Sequence, residues 1–309
     1  MQARALIVPK AKRKGMPLAQ QDALVGYLFV APRVLGFLLF VIGPLFAVFY
    51  FSLENRNLLS GQVSFAGLEN YRAMLFDDLV FWQMLRNTFV FSAGLVPLNV
   101  ALALTLAILL APQFKGVTFF RTVFFAPVVT STVAWIIVWT FILQGDRGPL
   151  NQFLRVFGIE GPNWLREPDS AMFSVIITRV VKNVGLNMVI FLAALQDLPR
   201  DHVEAAQVDG ARPLQVVYYI ILPFLAPSIL LVTIITIIGS LNVFDHIMLL
   251  TNGGPSNATT VLAYYVYFNA FKSYEVGYAS SIAVLLFVVA LVLKILQWSV
   301  RRRFIHYEQ

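Results

Sequence analysis

Six long apolar segments constrain the fold of this chain more than any other feature of its sequence. They cover residues 27–53, 87–111, 119–144, 171–196, 221–250 and 278–299. An α-helix needs about 20 mostly apolar residues to cross the hydrocarbon core of a bilayer, and each segment is long enough. Hydrophobic residues make up 59% of the chain and charged residues only 13%, against roughly 25% charged in a soluble domain. We therefore predict an all-α, polytopic membrane protein with six transmembrane helices.

The segments between these helices are too short to fold a second globular domain. We predict a basic N-terminal tail over residues 1–26, one transmembrane domain over 27–300 and a basic C-terminal tail over 301–309. The membrane domain includes a loop at 199–223, which lies on the same side of the membrane as the N-terminus.

The positive charges are distributed unevenly between the two sides of the membrane. The side that holds the N-terminus carries Arg4, Lys10, Lys12, Arg13, Lys14, Lys115, Arg121, Arg200, Arg212, Lys294, Arg301, Arg302 and Arg303. The opposite side carries Arg56, Arg72, Arg86, Arg147, Arg155, Arg166 and Lys272. The positive-inside rule then predicts that both termini are cytoplasmic. The net charge of +7 thus reflects topology and contact with anionic membrane lipid, and we expect no nucleic-acid partner.

The sequence contains no recognisable catalytic or metal-binding pattern. There is no cysteine, so disulfides and thiolate metal sites are excluded. The histidines His202, His246 and His306 are isolated, and the sequence has no His-Glu-x-x-His, no Gly-x-Ser-x-Gly and no Gly-x-x-x-x-Gly-Lys-Ser/Thr phosphate loop. We predict a chain that is not an enzyme, has no metal site and binds no cofactor of its own.

The loop at 199–223 has the pattern of a helix, a turn and a second helix. Asp201 and Glu204 have the spacing of a capping box, which would start a short helix over residues 202–209. Gly210 suits the left-handed position that ends a helix, and Pro213 suits the first turn of the next one.

This loop also has the chemistry of a docking surface. Ala205 and Ala206 keep the first helix thin, so that the backbone of a partner can approach closely. Glu204 offers a carboxylate to an Arg or Lys of that partner. The alternative is a solvated interfacial helix without a partner.

The spacing of these residues resembles the "EAA" loop of permease subunits in binding-protein-dependent ABC importers. The positions that match are Glu204, Ala205, Ala206, Asp209, Gly210, Ile220, Leu222 and Pro223. Other residues are similar to the first permease of the carbohydrate-uptake group, the type found in maltose and glycerol-phosphate systems. They are Phe125, Ala126, Pro127, Trp139, Phe191, Leu192, Ala193, Leu195, Gln196, Pro199, Phe244, Asp245, Thr251, Asn252, Gly253, Gly254 and Pro255.

The resemblance implies the fold, the location and the partners of the chain. The implied fold is that of a type I ABC importer permease in the cytoplasmic membrane of a bacterium or archaeon. The implied partners are a second homologous permease, a dimer of ATPase subunits that binds ATP and Mg, and an extracytoplasmic solute-binding protein. The loop at 199–223 would couple ATP hydrolysis on the ATPase subunits to sugar import.

Polar residues on the fourth and fifth predicted helices are candidates for contact with the substrate. Arg179, Asn183 and Leu186 follow i, i+4, i+7 spacing and so share one face, and the resemblance implies that this face lines a sugar site. Counting back from Thr251, the equivalent residues of the fifth helix are Thr236, Gly239, Ser240 and Val243, with Asn242 beside them.

Two of these residues depart from the family pattern. Arg179 is a cation where a neutral residue is usual, and Leu186 is apolar where an aromatic ring would stack on a sugar. An anionic sugar derivative is one explanation of Arg179. The other is that Arg179 pairs with a carboxylate of the second permease or extends to the outer surface.

Two other functional classes remain open from the residues alone. A stand-alone secondary transporter or channel would use Arg179, Lys182 and Asp245 as a charge relay. A membrane scaffold would use the Glu204 loop only to recruit a partner, although it would not need polar residues along two of its helices.

Overall fold

The computed structural model describes residues 18–304 of the chain. Side chains are described over that range except at positions 18–21, 24, 200 and 297–304. The predicted tails therefore lie partly outside the described residues, at 1–17 and 305–309.

Helices form most of the described chain. The α-helices are α1 (Leu18–Phe37), α2 (Gly43–Phe51), α3 (Glu69–Arg72), α4 (Leu79–Leu110), α5 (Val117–Val129), α6 (Thr132–Ile142), α7 (Pro149–Val156), α8 (Pro168–Gln196), α9 (Arg200–Val208), α10 (Pro213–Val216), α11 (Leu222–Leu241), α12 (Leu262–Phe271) and α13 (Val276–Phe304). Turns of π-helix occupy Leu38–Ile42, Ala73–Asp77, Val217–Ile221 and Ile247–Thr251. Two short strands, β1 (Glu54–Arg56) and β2 (Val63–Phe65), pair antiparallel with Glu54 opposite Phe65.

Five of the six predicted transmembrane helices are single candidate spans in the structure, and the sixth is a bent pair of helices. Five segments are long and apolar enough to cross a membrane, namely Val25–Phe51, Leu79–Leu110, Pro168–Gln196, Pro213–Leu241 and Val276–Leu296. The sixth is the pair α5 and α6, which meet at an angle of 104°. The predicted helix over 119–144 is therefore interrupted, because the chain leaves the helical conformation at Thr130 and Ser131.

The fifth span also differs from its predicted bounds of 221–250. Its helical backbone starts at Pro213, continues through the π-turn Val217–Ile221 and ends at Leu241. The helix is interrupted at residues 242–244, before a second π-turn, Ile247–Thr251. Residues up to 241 and residues beyond it are therefore not on one continuous helix.

Residues 18–50 form a unit by themselves. α1 and the beginning of α2 expose apolar side chains in all directions, and none of the residues in the most apolar part of this span is buried. A helix that is apolar on every side is suited to a lipid or protein environment.

The second unit begins at Phe51 and has its core between α4 and α8. α4 buries a stripe at a spacing of three to four residues, which places its side chains on one helix face. The stripe consists of Thr88, Phe91, Leu95, Asn99, Ala103 and Ala107. Asn99 is the polar member, and its Nδ2 donates to the carbonyl of Val180 on α8 at 3.3 Å, so that this buried amide has a partner.

Asp78 joins three helices at one end of this unit. Its Oδ1 accepts hydrogen bonds from the backbone N–H groups of Val80 and Phe81 at 2.8 and 3.1 Å, which caps α4. Its Oδ2 accepts from the hydroxyls of Tyr265 on α12, at 2.8 Å, and Tyr278 on α13. Burial, followed by the hydrogen bond to Asp78, raises the pKa of Tyr265 to about 12. One carboxylate thus fixes the ends of α4, α12 and α13 relative to each other.

Candidate functional site

The loop between α8 and α11 folds as a helix, a turn and a second helix. α9 ends at Val208, and Gly210 has a φ of +81°. The N–H of Gly210 donates to the carbonyl of Gln207 at 3.0 Å, and the N–H of Ala211 donates to Ala206 at 2.9 Å. These two bonds form a Schellman motif, in which glycine is favoured because it tolerates a positive φ. α10 then starts with Pro213 in its first turn.

The start of α9 differs from the prediction. Pro199 is the N-terminal cap and no side chain caps the helix, so the expected capping box of Asp201 and Glu204 is wrong. The reason is that the helix begins at Arg200 and not at residue 202, which places Asp201 inside the first turn. An acidic side chain there still interacts favourably with the helix dipole.

The loop presents an exposed surface of mixed character. Glu204, Ala205, Asp209, Gly210 and Pro223 are exposed, whereas Ala206, Ile220 and Leu222 are half-buried. Large apolar side chains stand beside them, with Val208 87% and Leu214 82% exposed. A cleft of about 300 Å³ is lined by residues that include Ala206, Asp209, Gly210 and Ile220.

α8 has two different faces within the membrane. Val180, Val184 and Met188 are buried in the core. Arg179 and Asn183 are half-buried and Leu186 is 44% exposed, so these three residues share the more accessible face, as their spacing predicts.

Arg179 faces Asp245 and His246, which follow the end of α11. Its Nη1 lies 3.9 Å from Oδ2 of Asp245 and 3.5 Å from Nδ1 of His246. The Nε of Arg179 and the Nε2 of His246 are buried and have no hydrogen-bond partner among the described residues. The partner of Arg179 is thus a carboxylate of its own chain, which is neither of the two structural alternatives predicted for it.

Lys182 on α8 stabilises the break between α5 and α6. Its Nζ donates to the carbonyl of Pro127 at 2.5 Å, to the carbonyl of Thr130 at 2.6 Å and to Oγ1 of Thr130 at 3.2 Å. A cation is favourable at the carboxyl end of a helix, where carbonyl groups lack partners. Lys182 is only 5% exposed. These hydrogen bonds account for a buried lysine in a membrane helix without a charge relay.

Gly185 lies one turn further along α8 and allows α5 to approach. A β-carbon at this position would overlap the backbone carbonyl of Phe124. Trp135 adds a contact on the other side of the break, since its Nε1 donates to the carbonyl of Thr178 at 3.1 Å. The bent third span is therefore held against α8 on both sides of its break.

The candidate residues of the fifth span fall into two groups. Thr236 and Gly239 are half-buried and Asn242 is exposed. Ser240 and Val243 are buried at 0% and 1% exposure, so in this conformation their side chains cannot line an open pathway. The prediction placed them in one stripe by counting through a helix that in fact ends at Leu241.

The roles of Lys182 and Trp135 are not predicted by sequence reasoning. The only local signal of the break is Thr130, Ser131 and Thr132, a run of hydroxyl residues within an apolar segment. Such residues favour the first positions of a helix, and α6 does begin there.

The chain is similar to several proteins of known kind. A family described as binding-protein-dependent transport system inner membrane component matches residues 99–306. The chain is 33% identical to the trehalose/maltose transport system permease protein MalF of Thermococcus litoralis, covering 92% of this chain and 96% of the relative. It is 34% identical to the sulfoquinovosyl glycerol transport system permease protein SmoG of Agrobacterium fabrum, covering 87% and 88%.

The fold is similar to that of a solved transporter. A chain of a bacterial ABC transporter involved in the import of the acidic polysaccharide alginate aligns with a TM-score of 0.78 and 25% identity, over 92% of this chain and 96% of that one. This match confirms the predicted fold class.

Proposed function

Because the chain belongs to the family of binding-protein-dependent transport system inner membrane components, we propose that it forms half of the translocation pathway of an ATP-driven sugar importer. The relatives are permease proteins of ABC transporters, several of them named for sugars. This family membership argues against the two alternatives, a secondary transporter and a membrane scaffold.

The proposed complex contains four further subunits. A second, homologous permease completes the pathway, two ATPase subunits bind ATP and Mg, and an extracytoplasmic binding protein delivers the substrate. The absence of a phosphate-binding loop from the sequence supports an ATPase on separate chains. The complex would lie in the cytoplasmic membrane of a prokaryote, with both termini of this chain in the cytoplasm.

The loop from Glu204 to Gly210 is the proposed coupling element. The observation that carries this proposal is an exposed helix, α9, which is ended by a Schellman motif and joined to the membrane helix α8 by only the three residues 197–199. A docked ATPase subunit that moves α9 would therefore move α8 with it.

Gly210 offers a controlled test of coupling. Gly210→Val should leave ATP hydrolysis by the assembled complex running while sugar uptake falls, because a branched residue disfavours the left-handed conformation by about 1–2 kcal/mol. Gly158 has a similar φ of +73° in a loop predicted to lie outside the membrane. At both glycines, an added β-carbon would have no other atom within 4 Å. Gly158→Val is thus the matched control.

Uptake and ATP hydrolysis are measured together in proteoliposomes that contain the whole complex. If Gly210→Val transports as well as Gly158→Val, α9 is not the coupling element. Glu204→Gln tests the carboxylate in the same assay, with Glu160→Gln as its control in the predicted outer loop.

We further propose that the substrate is an anionic sugar derivative and passes the accessible face of α8. The relative SmoG is named for a sugar that carries a sulfonate, and the transporter of similar fold imports an acidic polysaccharide. Arg179 supports the proposal because a guanidinium presents several N–H donors to an anion. Asn183, Leu186, Thr236, Gly239 and Asn242 complete the proposed pathway.

Uptake by cells that carry the complete importer tests this assignment with a panel of neutral and anionic sugars. Arg179→Gln should lower uptake of an anionic sugar by at least about 30-fold, since loss of one partner of a buried charge pair typically costs 2–5 kcal/mol. Arg147→Gln is the control, because Arg147 is exposed in the predicted outer loop. Unchanged uptake by Arg179→Gln would assign Arg179 a structural role.

A further inference from the structure

Asp245 is positioned by the residue that follows it. Its Oδ1 accepts the backbone N–H of His246 at 2.9 Å and lies 3.0 Å from the ring Nδ1. Its Oδ2 faces Nη1 of Arg179 at 3.9 Å. One carboxylate oxygen is therefore held by two short hydrogen bonds, while the other makes only a loose ion pair.

The ring of His246 forms a hydrogen bond with Asp245 and not with Arg179. Nδ1 cannot donate to Asp245 and also accept from Arg179, because a guanidinium only donates. The contact with Asp245 is shorter, at 3.0 Å against 3.5 Å, which assigns the proton to Nδ1. His246 is fully buried, so it fixes the carboxylate in one orientation.

Arg179 is short of hydrogen-bond partners for a cation within a membrane helix. Its side chain is 19% exposed, and its Nε is buried without a partner among the described residues. A guanidinium can bind a carboxylate through two parallel hydrogen bonds at about 2.7–2.9 Å, and the 3.9 Å ion pair with Asp245 is far from that geometry. The carboxylate balances the charge of Arg179 without occupying its donors.

We propose that Asp245 is the resident counter-ion of Arg179 and that the anionic group of the substrate takes its place during transport. This inference rests on the proposed function. In the empty pathway, Asp245 lowers the cost of a cation in the membrane and repels small inorganic anions from Arg179. A sugar that also contacts Asn183 and its neighbours has enough additional interactions to displace the carboxylate. Asp245 is thus a specificity-determining residue.

Inorganic sulfate is a probe that does not require the natural substrate. The whole complex is purified, and its thermal unfolding is followed against sodium sulfate, with sodium chloride at equal ionic strength as reference. A ligand that binds only the folded state raises the unfolding temperature in a saturable way. Asp245→Asn should bind sulfate at least about tenfold more tightly than the wild type, since an adjacent charge shifts an ionic equilibrium by about 10- to 1,000-fold.

Two further variants assign the effect to this pair. Asp245→Asn combined with Arg179→Gln should show no saturable response to sulfate. Asp146→Asn is the matched control, because Asp146 forms an ion pair of 3.6 Å with Arg155 on the exposed surface. If Asp245→Asn does not yield a folded complex, Asp245→Ser serves in its place.

Equal sulfate affinity in the wild type and Asp245→Asn would overturn the proposal, as would a saturable response that survives loss of Arg179. The same holds if neither protein binds sulfate. These outcomes are independent of sugar uptake, so a failure of the proposed function would be recognised separately in the transport assay.

Discussion

Replacing Lys182 with methionine should leave the carboxyl end of α5 without its cationic cap. In the structure, Nζ of Lys182 donates to the carbonyls of Pro127 and Thr130. Pro127 keeps a second partner, because the hydroxyl of Thr130 also donates to its carbonyl at 2.6 Å. The carbonyl of Thr130 has Lys182 as its partner among the described residues and would lose it.

The expected cost follows from these contacts. A hydrogen bond to a charged group contributes about 1.5–3 kcal/mol, and an ordinary one about 1 kcal/mol. Loss of the Thr130 bond and weakening of the Pro127 bond together predict a decrease of about 2–4 kcal/mol in the free energy of unfolding. The cost of burying a lysine disappears at the same time, which favours the lower half of this range.

Unfolding in mixed micelles with increasing sodium dodecyl sulfate measures this free energy. Lys115→Met is the control, since Lys115 is exposed before α5 and loses the same charge. Lys182→Gln keeps one donor and should recover part of the loss. A Lys182→Met variant as stable as Lys115→Met would show that the cap contributes nothing to the bent span.

Two more predictions concern the packing and the pH dependence of the fold. Gly185→Ala should prevent folding or force α5 away from α8, because a β-carbon would overlap the carbonyl of Phe124. Gel filtration should show loss of folded protein. Gly239→Ala is the control and should fold normally, because an added β-carbon there meets no other atom. Tyr265 has a pKa of about 12 in the folded state against an ordinary value of 10, so the stability that it contributes is complete below pH 10 and lost as the pH rises to 12. Tyr265→Phe should therefore show a smaller loss of stability between pH 10 and 12, and an unchanged loss would refute the role of this hydroxyl.

The sequence predicts the spans because insertion in a membrane depends on apolar length, which composition reports directly. Apolar length does not show where a span is straight and where it bends. The break at Thr130 is stabilised by Lys182, which is more than fifty residues away in the sequence. From the sequence, Lys182 can be recognised only as a costly charge in a membrane helix. Its partner at Thr130 cannot. Residue spacing was reliable along α8, which is continuous, and failed for Val243, which lies beyond the end of α11.

The two candidate regions are connected through the same pair of helices. α8 is one helix of 29 residues without an interior proline, and the loop with α9 joins its end to the start of the fifth span. Between the loop and Arg179, Nδ2 of Asn187 on α8 donates to Oγ1 of Thr236 on α11 at 3.2 Å. If the ATPase subunits displace the loop, the continuous helix α8 carries that displacement past the contact with α11 to Arg179. Asp245, 3.9 Å from Arg179, lies beyond the end of α11 and so is not carried on α8. On the proposed function, ATP hydrolysis would therefore change the distance between Arg179 and its counter-ion, which links the release of an anionic sugar to the state of the coupling loop.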